Sequence, residues 1–419
     1  MSCKGRLVVG YHNNEMVGVA KDAFDKDIIL AELEERSAMD EDGDETPEHS
    51  KKCQEEAKEK KATIPSLAKH FLVVIATTIS ASAKHKHTFL VARYGLSSID
   101  ADYLDDVLGK SYIALAKDGW IAVQVTGDGA SENRSYFKKK ATISARDVFD
   151  GHYDEEETLA GLPLDFKIAF PHPDKYLRDS GIIITIGGEM PHWGKKFRNN
   201  TESKTRILTY NGQEMTLGML KDIWIASGDS DATTASLRKY KFTWDHFLLN
   251  SYNKMRVFLA LQALSQTMIN MVKDYCLSVE QGGMGAGDID DYESFITIIS
   301  AVNRLVDIMN GVRFKNGQDK QVFLIDCPEH PHVFELFDIL RLFEDWKDDT
   351  GGFTHEYITR QTYEDLVWMV FGVAAMACTY LEDDCSLVFH QGRGGSDVCK
   401  HFFANMRNDN PNHNLQQCR

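Results

Sequence analysis

Residues Trp120–Arg134 read WIAVQVTGDGASENR, and this stretch decides the fold. Trp120–Val125 is a β-branched apolar run of strand length, and Gly127–Arg134 turns sharply into a polar, helix-compatible segment. An aspartate at the C-terminal end of a strand, followed by a glycine turn and a helix, projects its carboxylate from the sheet edge. That is where α/β sheets hold ligands and metals. Asp128 has this placement and the hard oxygen that Mg²⁺ prefers. The spacing equally suits a plainer role, in which Asp128 or Ser131 caps a helix starting near Glu132. Spacing alone favours the cap.

Upstream, Gly5–Tyr11 (GRLVVGY), Lys69–Ile79 and His87–Tyr94 are rich in β-branched and aromatic residues and predict strands. Asp100–Asp118 has helical periodicity and is closed by Gly119. Downstream, Gly181–Ile186 (GIIITI) is a further strand, followed by Gly188–Asn200 (GEMPHWGKKFRNN) with Pro191 at a helix start. Lys195, Lys196 and Arg198 there suit either a phosphate or a solvated helix face. The order β-β-β-α-β-α-β predicts an α/β fold with mixed strand directions. After about residue 204 the chain turns helical, with helices predicted over Met255–Lys273, Ile296–Met309, Val333–Trp346 and Glu364–Leu381. The apolar run Leu366–Leu381 falls short of the ~20 residues that span a bilayer, so it predicts a buried core helix and no membrane partner.

The 419 residues carry 47 Lys and Arg against 63 Asp and Glu, a net charge of −16. Such acidity argues against passive wrapping by nucleic acid, which needs a dense cationic footprint. Residues 32–61 hold 12 acidic and 6 basic side chains and almost no aromatic or β-branched ones, so they predict a disordered acidic insertion. Eight cysteines without a CxxC pair suit a reducing intracellular compartment, nuclear or cytoplasmic. Cys327-Pro-Glu-His330-Pro-His332 has metal-ligand residue types without a partner cluster, so a structural zinc is not expected there. Gln281–Asp288 (QGGMGAGD) lacks the spacing of a phosphate loop and predicts a linker.

Taken in order, GRLVVGY, DGASENR, PHWGKKFRNN, KFTWDHF…NKMRVFLALQALS, DIMN, TRQTYEDL and SDVCKHFFANMR with NPNHN resemble the P element family of DNA transposases, including its THAP-domain-associated relatives. The resemblance runs from Gly5 to about Asn414. It implies an RNase H-like mixed sheet interrupted by a mostly α-helical GTP-binding insertion: residues 1–203 and 356–419 for the RNase H-like part, 204–355 for the insertion. It also implies Mg²⁺-dependent DNA cleavage and strand transfer by three carboxylates (a DDE-type site), with DNA and GTP as partners and a possible homo-oligomer.

By this alignment Asp128 matches the second catalytic aspartate and metal ligand. The first lies on the strand before the one matched by GRLVVGY, so the expectation is a chain truncated at its N-terminus and lacking it. The final glutamate position reads Lys400, three residues after Asp397, and Glu189 replaces the family's aspartate in a D-x-P-H block. Lys241, Arg256, Val257, Asp307, Asn310 and Asp397 match GTP-contacting positions, with Arg256 in place of lysine. The resemblance thus implies a transposase remnant, from a transposable element, whose catalysis is lost. Two alternatives are a guanine-nucleotide-binding regulatory or DNA-associated protein, and an active transposase with an incomplete gene model.

Overall fold

The computed structural model describes residues 6–19, 67–79, 87–96, 98–228, 239–280, 292–315, 319–322, 324–381, 389 and 391–394. The acidic stretch 32–61, the glycine-rich stretch 281–288, Asp397 and Lys400 lie outside the described residues.

Seven strands form one mixed sheet: β1 (Arg6–Val19), β2 (Leu67–Thr78), β3 (Thr88–Leu96), β4 (Ile121–Gly127), β5 (Ile143–Ser144), β6 (Lys167–Pro171) and β7 (Ile183–Gly187). Their order across the sheet is β3-β2-β1-β4-β7-β6-β5. β1, β2 and β3 pair antiparallel in sequence, while β1–β4 and β4–β7 are parallel. Every residue of β4 is buried. A central strand covered on both faces has this property, which explains why IAVQV reads as a continuous apolar run broken only by Gln124.

The mixed sheet agrees with the strand order read from the sequence, but β5 and β6 went unread. β5 has two residues, and in β6 only Ile168–Phe170 are apolar, between Lys167 and Pro171, too short a run to read as a strand. Helix α1 (Ala101–Lys117) starts where Asp100 accepts the Tyr103 amide at 2.8 Å, and it ends before Gly119, whose φ is +79°. Helices α2 (Ser131–Lys140) and α3 (Met190–Asn200) leave the C-terminal ends of β4 and β7.

Among the described residues, five helices of seven residues or more follow before the chain returns to the sheet: α4 (Leu217–Ala226), α5 (Val257–Ala263), α6 (Gln266–Glu280), α7 (Glu293–Asn310) and α8 (Pro331–Asp349). The single helix expected over Met255–Lys273 is broken in two. The Ser265 hydroxyl donates to the Gln262 carbonyl at 2.7 Å, and Asn303 on α7 accepts the Gln266 amide at 3.0 Å. A side chain from another helix supplies the cap that restarts α6, and no local pattern announces it.

The last described helix, α9 (Arg360–Tyr380), is the buried core helix that its apolar run predicted, and it packs on β7. At the crossing, a Cβ on Gly372 would collide with the Ile186 carbonyl oxygen, so only glycine lets the two backbones meet. Trp368 donates to the Lys167 carbonyl at 3.1 Å, and Tyr380 donates to the carbonyl of Ile183. Among the described residues no helix is long and apolar enough to cross a membrane.

One core residue makes the fold pH-sensitive. His172 is fully buried beside Tyr112, and its Nδ1 accepts the Asp174 amide at 3.1 Å, which places the ring proton on Nε2. Burial pulls its pKa down to about 4 from the ordinary 6.5. The unfolded chain therefore binds a proton that the folded chain refuses. Its contribution is complete above about pH 6.5 and is lost as the pH falls toward 4, at up to about 1.4 kcal/mol per pH unit. Urea titrations over this range should show a shallower pH dependence for His172→Phe than for the wild-type chain; equal slopes would contradict the assignment.

Candidate strand-end site

β4 and β7 run parallel, so their C-terminal ends open on the same side of the sheet, and a cavity lies there. Gly127–Gly129 form one wall and Gly187–Glu189 the other, with Trp193, Phe137 and Trp368 as its apolar lining. Four further polar side chains reach it: Arg134 from α2, His192 and Lys196 from α3, and Asp365 from the first turns of α9.

Asp128 sits where its sequence context put it, at the end of β4, and is nearly buried. It is not the N-cap; Ala130 holds that position without a side-chain bond. Instead Asp128 Oδ1 accepts from Asn133 Nδ2 at 2.7 Å and from the Ala130 amide at 3.3 Å. Asn133 also donates to the Asp128 carbonyl at 2.9 Å, so the amide clamps both ends of the turn. Glu189, with its side chain 2% exposed, meets His192 Nδ1 at 2.9 Å one turn along α3.

The strongest electrostatic feature centres on Asp365. Arg134 binds it through two parallel bonds, Nε to Oδ1 at 2.9 Å and Nη2 to Oδ2 at 2.7 Å. Such fork geometry is the most specific form of a guanidinium–carboxylate pair. Lys196 Nζ joins at 2.8 Å from Oδ2 and also donates to the Gly129 carbonyl at 3.2 Å. The ammonium lies so close to Gly129 that a Cβ there would collide with it. Side-chain exposures of 9% for Arg134 and 12% for Asp365 make this a buried pair. Next to it, Lys138 of α2 pairs with Glu364.

Among the described residues, the carboxylates around the cavity do not converge on a position for a divalent cation. Asp128, Glu189 and Asp365 each face fixed protein partners, and two of those partners are themselves cations. A hard cation needs several convergent oxygens. Among the described residues, no group of three His, Cys, Asp or Glu side chains is arranged to hold a metal ion.

Two sequence expectations need correction. Two of the three cations of α3, Lys196 and Arg198, are neither a solvated face nor a phosphate patch, because α3 packs between α9 and the helices α5 and α7. Arg198 is fully buried and donates to the Asn253 and Lys254 carbonyls at 3.0 and 3.3 Å, while Lys196 is committed to Asp365. Burial pulls Arg198 down to about 10. The stretch GRLVVGY, read as a second strand, is β1 and lies at the sheet centre directly beside β4. Tyr11 pairs with Gly127, so the strand position beyond it, level with Asp128, is His12. The acidic residue of β1 is Glu15, farther along.

Arg134, Lys196 and Asp365 were not singled out as a set. A signal was present: Glu364-Asp365 opens an otherwise apolar helix, and two carboxylates at the head of a buried element need partners.

The described nucleotide positions, Lys241, Arg256, Val257, Asp307 and Asn310, lie among the helices after α3, and none lines the strand-end cavity. Lys241 is exposed and adopts φ +59°, a conformation uncommon for a residue with a Cβ. Arg256 caps α5 and stands 3.7 Å from Asp245; Val257 is the first residue of α5. Asp307 and Asn310 occupy the last turn of α7, and Asn303, one turn before Asp307, meets the α5–α6 junction.

No protein-family model matches the chain, and no curated protein does. Among solved structures it is similar to the protein in the Drosophila P element transposase strand transfer complex. Identity is 18%, the match covers 97% of this chain and 72% of that one, and the TM-score is 0.61. At that identity the likeness is one of fold. The chain has a P element transposase-like fold, an RNase H-like mixed sheet interrupted by helices.

Proposed function

We propose that this chain is a P element-like transposase remnant, DNA-associated and able to bind GTP, in which Mg²⁺-dependent cleavage and strand transfer are lost. One observation carries the loss: at the strand ends, Asp365 is neutralised by Arg134 and Lys196, and Asp128 is held by Asn133. Divalent cations there would have to displace buried cations, against both charge repulsion and lost hydrogen bonds. The family resemblance and the shared fold support the DNA-associated part, since the neighbour is a transposase in a strand transfer complex. The left-handed Lys241 supports the nucleotide part, because strained backbone is retained where a side chain must be aimed.

Supercoiled plasmid incubated with the protein and Mg²⁺ or Mn²⁺ should stay unnicked. Metal-dependent nicking that Asp128→Ala abolishes would overturn the loss of catalysis. Calorimetric titration should give a heat of GTP binding that Asp307→Ala weakens about tenfold, the loss of roughly one charge-assisted hydrogen bond. A flat titration with GTP would remove the nucleotide part.

A further inference from the structure

Large apolar side chains normally reach the surface singly. Here Trp244, Leu248, Tyr252, Met255 and Phe258 are all about half exposed or more, within fifteen residues of one another. Tyr252 is 68% and Met255 66% exposed, too open to be core residues. The rings are interleaved with cations. The Arg256 guanidinium lies 5.3 Å from the Tyr252 ring and 5.3 Å from the Phe258 ring. Residues 241–258 carry Lys241, Lys254 and Arg256 against the single carboxylate of Asp245, in a chain whose net charge is −16.

The segment is held firmly from below. Arg198 and Asn199 at the end of α3 bond to the Lys254 carbonyl, Arg198 also to that of Asn253, and Asn253 Nδ2 donates to Asp245 and to the Leu248 carbonyl. Trp244 packs edge-on against the buried Trp224. The segment is therefore anchored to α3, whose His192 and Lys196 line the strand-end cavity.

We infer that Trp244, Tyr252 and Phe258, with Lys254, form a platform on which unpaired nucleobases stack while the lysine meets a backbone phosphate. The inference rests on the DNA-associated reading above and names the form of DNA: single strands. Exposed rings beside cations match a single strand, whose bases are available to stack. A duplex hides its base faces, and a protein interface is depleted in lysine at its centre.

The test measures fluorescence anisotropy of labelled single-stranded oligothymidylate and of a duplex of the same length, with the full chain. The wild-type protein should bind the single strand more tightly, with affinity falling as salt rises. Tyr252→Ala and Phe258→Ala should each weaken single-strand binding about tenfold and leave duplex binding unchanged, while Tyr252→Phe retains it. Circular dichroism melting confirms that the variants remain folded. Unchanged single-strand binding in the double alanine variant overturns the inference. So does a double variant whose only effect is to turn a dimer into a monomer, which would make this face a contact between copies. Duplex binding without single-strand preference overturns the inference alone; no binding to either DNA overturns the DNA-associated reading as well.

Discussion

Replacing Asp365 with asparagine is expected to lower folding stability by about 3–5 kcal/mol, the cost of leaving buried charges without their partner. The substitution keeps the shape of the side chain and removes only its charge. Arg134, 9% exposed, would then keep its guanidinium in a site that water scarcely reaches, with Lys196 beside it. Because the two cations come from α2 and α3 and the carboxylate from α9, the loss is felt at the junction of three elements. Urea denaturation would show it as a lower midpoint at unchanged slope. A cycle with Arg134→Met separates the pair from its surroundings: the double variant should be less damaged than the sum of the singles, since it removes both charges together. A midpoint for Asp365→Asn equal to that of the wild-type chain would show that the ion pair contributes nothing.

The second large effect is expected from Trp193→Ala, about 3–5 kcal/mol from lost burial and the cavity left behind. Trp193 is 1% exposed, stacks on Phe197 with ring centres 5.3 Å apart, and meets Phe343 of α8 edge-on at 6.0 Å. Its indole N–H donates to the Thr362 carbonyl on α9 at 2.8 Å. One side chain thus joins α3, α8 and α9 beneath the strand-end cavity. Trp193→Phe keeps most of the apolar contact and loses the hydrogen bond, so it should cost clearly less than alanine. Equal losses for the two variants would assign the effect to the hydrogen bond rather than to packing.

Much of this architecture was legible locally. Each of β2, β3, β4, β7 and the first half of β1 coincides with an apolar run, and α7, α8 and α9 with 3.6-residue periodicity, because burial on one or two faces leaves a repeating trace in the chain. The break between α5 and α6 was not legible, since Asn303 on α7 supplies the cap from 37 residues away. The position of Asp128 at a strand end was readable from the Gly127-Asp128-Gly129 turn; its clamp by Asn133 was not.

The same division holds at the candidate site. Local sequence determined that this chain forms a mixed sheet, that helices interrupt it, and that a carboxylate stands at the end of β4. It also showed a basic α3 and an acidic pair at the head of α9, each open to several meanings. Only the tertiary structure decided that these belong to one another: Arg134 and Asp365 are 231 positions apart, Lys196 and Asp365 169. A strand or helix leaves its period in neighbouring residues, because its backbone bonds are local or repeat along the chain. An ion pair has no such period. Whether a carboxylate accepts a metal or a lysine depends on which helices pack across the sheet edge, and that is settled only when the core closes.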